Sequence, residues 1–278
     1  MYLSRFVLRF VPLESIVLPK FTGHIVLSLF LRMLGSVDAK YASYLHDYKG
    51  VKPYAVKPFM GDRGVLYSPE FKGVILKSGN EYFFQVSLVQ EEPAKKFLEA
   101  LTTSVVDSTF RLLGRSPITI TDVSIEVHDL EDLEPEFTDD RFKVRFITPT
   151  RFSVRRRTLR RKPLFSLVPT PLSLFHSLVH HWNTFAPPSK KIKEERFLDW
   201  ILDNVYESDL RLRADVAPIG DGKKVIGVVG YVIYRVEEPE SSYLRDMFLL
   251  LRYGEYFNVG NSRSMGLGVM DVTKVSDK

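Results

Sequence analysis

The 278-residue chain has no cysteine. Disulfides, thiolate metal sites and cysteine nucleophiles are therefore excluded together, and a reduced, cytoplasmic setting is expected. Phosphate-binding helix motifs are missing too. The one glycine-rich loop, V-G-N-S-R-S-M-G-L-G-V from Val259 to Val269, runs on into an apolar strand pattern and not into a helix. That rules out a Walker loop and a dinucleotide fingerprint. There is no G-x-S-x-G elbow for a serine hydrolase. Long unbroken apolar runs are also lacking. The N-terminal stretch carries Arg5 and Arg9, and the segment Leu164 to Trp182 is interrupted by Pro169, Pro171 and three histidines. Neither a signal peptide nor a membrane span is expected.

What is present suits a globular protein. Hydrophobic residues make up 45% and charged residues 26%, enough for a sizeable core. The net charge of +5 leans toward a polyanionic partner, and its distribution says more than its sum. Asp129 to Asp140 is acidic, whereas Arg151 to Lys162 (R-F-S-V-R-R-R-T-L-R-R-K) holds seven cations in twelve residues.

Periodicity gives an order of elements. Tyr2 to Val11 alternates as a strand, with Phe6, Leu8 and Phe10 on one face. Gly23 to Leu34 suits a buried helix, and Asp38 an N-cap for a short helix over 39–47. Strands are expected at 54–59 and 118–127, a helix at 91–104, and a hairpin joining 73–77 to 82–89 through Ser78-Gly79-Asn80. The same order recurs after the acidic segment. A strand at 142–149 is followed by helices at 171–182 and 195–207 and strands at 209–216 and 224–236. A helix at 240–252 and a last strand at 267–275 complete it. The expected fold is α+β, with two tandem ferredoxin-like (RRM-like) β-α-β-β-α-β domains. They span 1–130 and 141–278, joined by an acidic linker at 131–140.

Three groups of residues could carry chemistry. The first is the basic run, Arg151, Arg155, Arg156, Arg157, Arg160, Arg161 and Lys162, which reads as a solvated segment or as an arm that contacts nucleic-acid phosphates. The second is His176 and His180, spaced as metal ligands on one helix face but without the glutamate of H-E-x-x-H. Packed histidines are the other reading. The third is His46 in Y-L-H-D-Y-K-G-V-K-P-Y, ringed by Tyr41, Tyr44 and Tyr48 with Lys49 and Lys52 downstream. A histidine in that setting is a general acid/base candidate. It also reads as a helix-end histidine favoured by the dipole.

Together these segments resemble a known family. The loop G-N-S-R-S-M-G-L-G, the histidine segment, the apolar helix opening at Gly23 and V-R-F-I-T-P-T at 144–150 are similar to the RAMP superfamily. Within it they most resemble the CRISPR repeat endoribonucleases. The resemblance implies cutting of CRISPR precursor transcripts within repeats, without metal or cofactor, through attack of a ribose 2′-OH. It implies catalytic roles for His46 and Lys52. The family's tyrosine falls at Leu31 here, which leaves Tyr44, Tyr48 or no residue at all to take its place. RNA contacts are implied for the basic run and for Gly260, Arg263, Ser264, Gly266 and Gly268. The alternative is a non-catalytic RNA-binding RAMP subunit. Candidate partners are CRISPR repeat RNA, subunits of a CRISPR effector complex and a second copy of the chain.

Overall fold

A computed structural model describes residues 2–104, 109–130, 132–154, 163–220 and 222–275. The chain forms two compact units. Unit 1 is 1–130 together with 217–224 and 264–266; unit 2 holds the remaining residues.

Unit 1 contains β1 (Tyr2–Pro12), β2 (Ile16–Pro19), α1 (Gly23–Val37), α2 (Ala39–Asp47), β3 (Tyr54–Gly61), β4 (Gly64–Val65) and β5 (Gly73–Leu76). These are followed by β6 (Tyr82–Val89), α3 (Glu91–Ser104), β7 (Thr109–Leu112) and β8 (Ser116–Asp129). The main sheet runs β4-β3-β6-β1-β8-β7. Its four central strands follow the ferredoxin-like order, with the first and third strands of the motif in the middle. Alternation on β1 and β6 sends Phe6, Leu8, Phe10, Phe84, Val86 and Leu88 to one face. Val26, Leu29, Phe30 and Met33 of α1 and Phe97 and Leu101 of α3 cover them. Phe97 lies edge-on to Phe6 at 5.0 Å and to Phe30 at 4.9 Å between ring centroids. The other face of β1 is mixed: Leu3 is buried, whereas Arg5 pairs with Glu126 and Arg9 with Glu81 and Asp122.

One expectation is corrected. The strands at 73–76 and 82–89 do not form a hairpin; β5 pairs with β2, Ile16 opposite Leu76, in a separate two-stranded sheet. The reason is edge occupancy. β6 lies inside the sheet that α1 and α3 cover, and both its backbone edges are taken by β1 and β3, which leaves no edge for β5. The Ser78-Gly79-Asn80 turn still exists, but Gly79 N–H donates to Pro12 O and redirects the chain.

Unit 2 repeats the plan with β9 (Arg141–Thr150), β10 (Phe152–Val154), β11 (Leu164–Ser166), α4 (Pro171–Phe185) and α5 (Glu194–Asn204). They are followed by β12 (Val205–Pro218), β13 (Lys224–Val236), α6 (Tyr243–Phe257) and β14 (Met270–Lys274). The sheet order β12-β13-β9-β14 is again the ferredoxin-like one. Its core sets Phe142, Val144 and Phe146 of β9 beneath α4 and α6 residues such as Leu178, Trp182, Met247 and Leu251. The acidic segment, expected as a linker, is docked on α6. Glu134 pairs with Arg245, Glu136 with Arg252 at 2.6 Å, and Phe137 meets Phe248 at 5.1 Å. Among the described residues no helix is long and apolar enough to cross a membrane.

Phe97 is fully buried and touches both the sheet and α1. Phe97→Ala is expected to cost about 3–5 kcal/mol through lost transfer energy and a residual cavity. Urea denaturation checks this, as a lower midpoint at unchanged slope.

Candidate active site and nucleic-acid interface

Helix α2 starts where the sequence places it. Asp38 accepts a hydrogen bond from Tyr41 N–H at 2.9 Å and pairs with Lys96 at 2.6 Å. Only Ala42 and Leu45 of this helix are buried, so it lies on the surface by one narrow stripe. His46, in its last turn, has a side chain 64% exposed, with Nδ1 3.1 Å from Asp47 Oδ1.

The chain after α2 folds back over the helix end. Lys52 Nζ donates to Leu45 O at 2.5 Å and to His46 O at 2.7 Å. Carbonyls at a helix C-terminus are unsatisfied and carry the negative end of the dipole, so a cation is favoured there. Burial, with Lys49 adding to it, pulls the Lys52 ammonium below the usual lysine range. Beneath this cap, Tyr54 is buried, its hydroxyl 3.5 Å from Leu45 O. Burial pushes the Tyr54 phenol up to about 12, against a hydrogen bond with Ser264 that lowers it. Unit 1 thus gathers the Leu45 and His46 carbonyls, Lys52, Tyr54 and Ser264. Tyr54 went unnoticed in the sequence; its signal is the tyrosine that closes Y-L-H-D-Y-K-G-V-K-P-Y.

The tyrosines do not converge on His46. Residues two apart on a helix point to opposite flanks, so Tyr44 leaves α2 on the far side from His46. It packs instead against Tyr41 and Tyr48, with tilted rings at 6.1 and 5.7 Å between centroids. Leu31, at the family's tyrosine position, packs against the unit 1 core.

The glycine loop is closed at its neck. Val259 N–H donates to Gly268 O at 2.8 Å. Gly268 has φ +72°, and a Cβ there would run into the Val259 carbonyl oxygen. Gly260 N–H donates to Ser177 Oγ at 2.9 Å. In unit 1, Gly266 lies against Gly23 and Pro58. Arg263, implied above as an RNA contact, is turned inward and only 8% exposed. Its guanidinium donates to Ser177 O, to Ser177 Oγ at 2.6 Å and to Gly260 O at 3.2 Å. Burial lowers its pKa to about 10.

Arg151 is also tied in, with its guanidinium 3.8 Å from the centroid of the Phe165 ring and 3.3 Å from Asn261 Oδ1. Arg155, Arg156, Arg157, Arg160, Arg161 and Lys162 lie outside the described residues. The strands before and after them, β10 and β11, pair antiparallel. His176 and His180 stack at 6.1 Å with parallel rings, and His176 Nε2 is 3.7 Å from Glu194. Among the described residues no group of three or more potential ligands could hold a metal ion.

Gly268→Ala forces a left-handed alanine into the Val259 carbonyl. It is expected to cost more than about 2 kcal/mol, read as a lowered denaturation midpoint.

Comparison with known proteins places this geometry. Residues 144–270 match the family model of the CRISPR-associated endoribonuclease Cas6. The fold matches a Cas6 product complex at 20% identity and TM-score 0.73, covering 98% of this chain and 100% of that one. A second Cas6 product complex matches at 23% identity and TM-score 0.72, covering 99% and 100%. An RAMP protein that binds different RNA substrates matches at 13% identity and TM-score 0.61, covering 98% and 100%. No curated protein matches the chain in sequence. The resemblance to the CRISPR repeat endoribonuclease family is borne out, and the α+β tandem ferredoxin-like architecture with it.

Proposed function

We propose that the chain is a CRISPR repeat endoribonuclease that cuts precursor transcripts by metal-independent transesterification. The observation that carries this reading is the shared helix end. Lys52 is fastened to the carbonyls of Leu45 and His46, so the general acid/base candidate and a cation are held within one turn of backbone. The ribose 2′-OH attacks the adjacent phosphorus, forming the O2′–P bond as the P–O5′ bond breaks. The products are a 2′,3′-cyclic phosphate and a 5′-OH. His46 takes the proton from the 2′-OH or supplies one to the leaving 5′ oxygen. Lys52 stabilises the charge on the pentacoordinate phosphate, as an oxyanion hole does for acyl transfer. The family match in unit 2 and the glycine loop support repeat RNA as the substrate.

The test uses 5′-labelled repeat RNA in EDTA. One site-specific cut ending in a cyclic phosphate is expected, blocked by a 2′-deoxy group at that nucleotide. His46→Ala is expected to slow it about 10²- to 10⁴-fold. A cut that survives His46→Ala would move the chemistry to Lys52. Binding without cleavage by the unaltered protein would identify a non-catalytic RNA-binding subunit instead.

The basic run is the reading's grip on the RNA backbone. Replacing Arg155, Arg156 and Arg157 with alanine is expected to weaken binding for all sequences alike. The slope of log affinity against log salt should fall by about 1 per lost phosphate contact. Filter binding at several salt concentrations measures it.

A further inference from the structure

We propose that Tyr44 and Tyr48 form a stacking platform for an unpaired nucleobase next to the cut, on the flank of α2 opposite His46. The ligand class rests on the endoribonuclease reading; the place rests on geometry. Tyr41, Tyr44 and Tyr48, spaced i, i+3 and i+7, make one stripe. Tyr41 is its anchored end, half-buried with the Lys96 ammonium 4.9 Å from its ring centroid. Tyr44 and Tyr48 are the open end, 57% and 40% exposed. Their rings stand 5.7 Å apart, tilted by 48°.

Two features make this a built surface and not two loose side chains. First, Tyr48 is seated on main chain: a Cβ at Gly50 would lie 2.7 Å from its ring atoms. The glycine of K-G-V-K therefore makes room for the ring. Second, two of the neighbours are cations. Lys40 lies one turn before Tyr44 on the same face and Lys49 follows Tyr48, both exposed. Exposed rings beside lysines are what proteins offer to single strands, the ring to the base and the ammonium to its phosphate. A protein-binding hot spot would be framed by apolar contacts; the exposed residues flanking these rings are Lys40, Ser43, Asp47 and Lys49, all polar, with Asp47 turned to His46 Nδ1 at 3.1 Å. A helix is about 10–12 Å across, so the platform reaches a nucleotide beside the scissile phosphate. It positions the strand and takes no part in proton transfer.

The test reads stacking directly. A repeat RNA made non-cleavable by a 2′-deoxy group at the cut carries 2-aminopurine, walked through the flanking nucleotides. Binding is expected to quench one position. Tyr44→Leu and Tyr48→Leu should lose the quench and weaken binding about 5- to 100-fold, with circular dichroism unchanged. Tyr44→Phe and Tyr48→Phe should keep the quench. His46→Ala should lose cleavage and keep the quench, which separates platform from chemistry. A quench intact in both leucine variants overturns the platform and leaves the cleavage assay to stand alone. So does a quench lost in the phenylalanine variants, since stacking needs no hydroxyl. Unaltered protein that binds repeat RNA no better than unrelated RNA overturns the platform and the endoribonuclease reading together.

Discussion

The main-chain closure at the neck of the 259–268 loop is the constraint on which the second half of the structure turns. Val259 and Gly268 meet backbone to backbone, and only a residue without a side chain fits there. The closure has a consequence for Arg263. Val259, Leu267 and Val269 are buried on either side of it, and Arg263 turns in with them. The guanidinium goes inward, and a charge in a low-dielectric interior is tolerated only with acceptors around it. Ser177 and Gly260 supply them, and the Arg263 carbonyl is in turn held by Asn258 Nδ2 at 3.1 Å. Glycines and arginine are one device: the first let the chain close, the second ties the closed loop to α4.

The end of α2 uses the same physics on the surface. There the acceptors come first, as the unsatisfied carbonyls of a short helix, and Lys52 is drawn onto them. The seven residues from His46 to Lys52 are long enough to fold back and too short to wander, with Pro53 fixing the exit. Tyr54 then plugs the space below, its hydroxyl bonded to Ser264. In this way a histidine that is itself exposed acquires a fixed backbone.

Much of this was legible in the sequence wherever the signal was local. Alternation on β1, the helix at 91–104 and the Asp38 cap depend on residues a few positions apart, and the structure places them as read. The strand partner of β5 was not legible, because pairing is decided by which apolar residues of distant segments need cover. Three-residue strands such as β10 and β11 are too short to show a period. The docking of the acidic segment had a signal in Leu133 and Phe137, two apolar residues among carboxylates. The inward turn of Arg263 had none: N-S-R-S-M reads as a polar loop, and only the positions of Ser177 and Gly260 decide where the guanidinium goes. The histidine segment stood out as a candidate site, but residue spacing alone set Tyr44 beside His46, where helix geometry sends the two apart.

The way Lys52 is held also bears on what it can do. A lysine fixed by a carboxylate loses most of its field to its partner. Carbonyls hold an ammonium without cancelling it, since each brings a dipole and no net charge. The Lys52 hydrogen bonds to Leu45 and His46 are of that kind. Burial strengthens the effect, because fewer waters screen the charge. On the proposed endoribonuclease reading, a cation fixed in position while its field still reaches outward is what a phosphate gaining charge in the transition state requires.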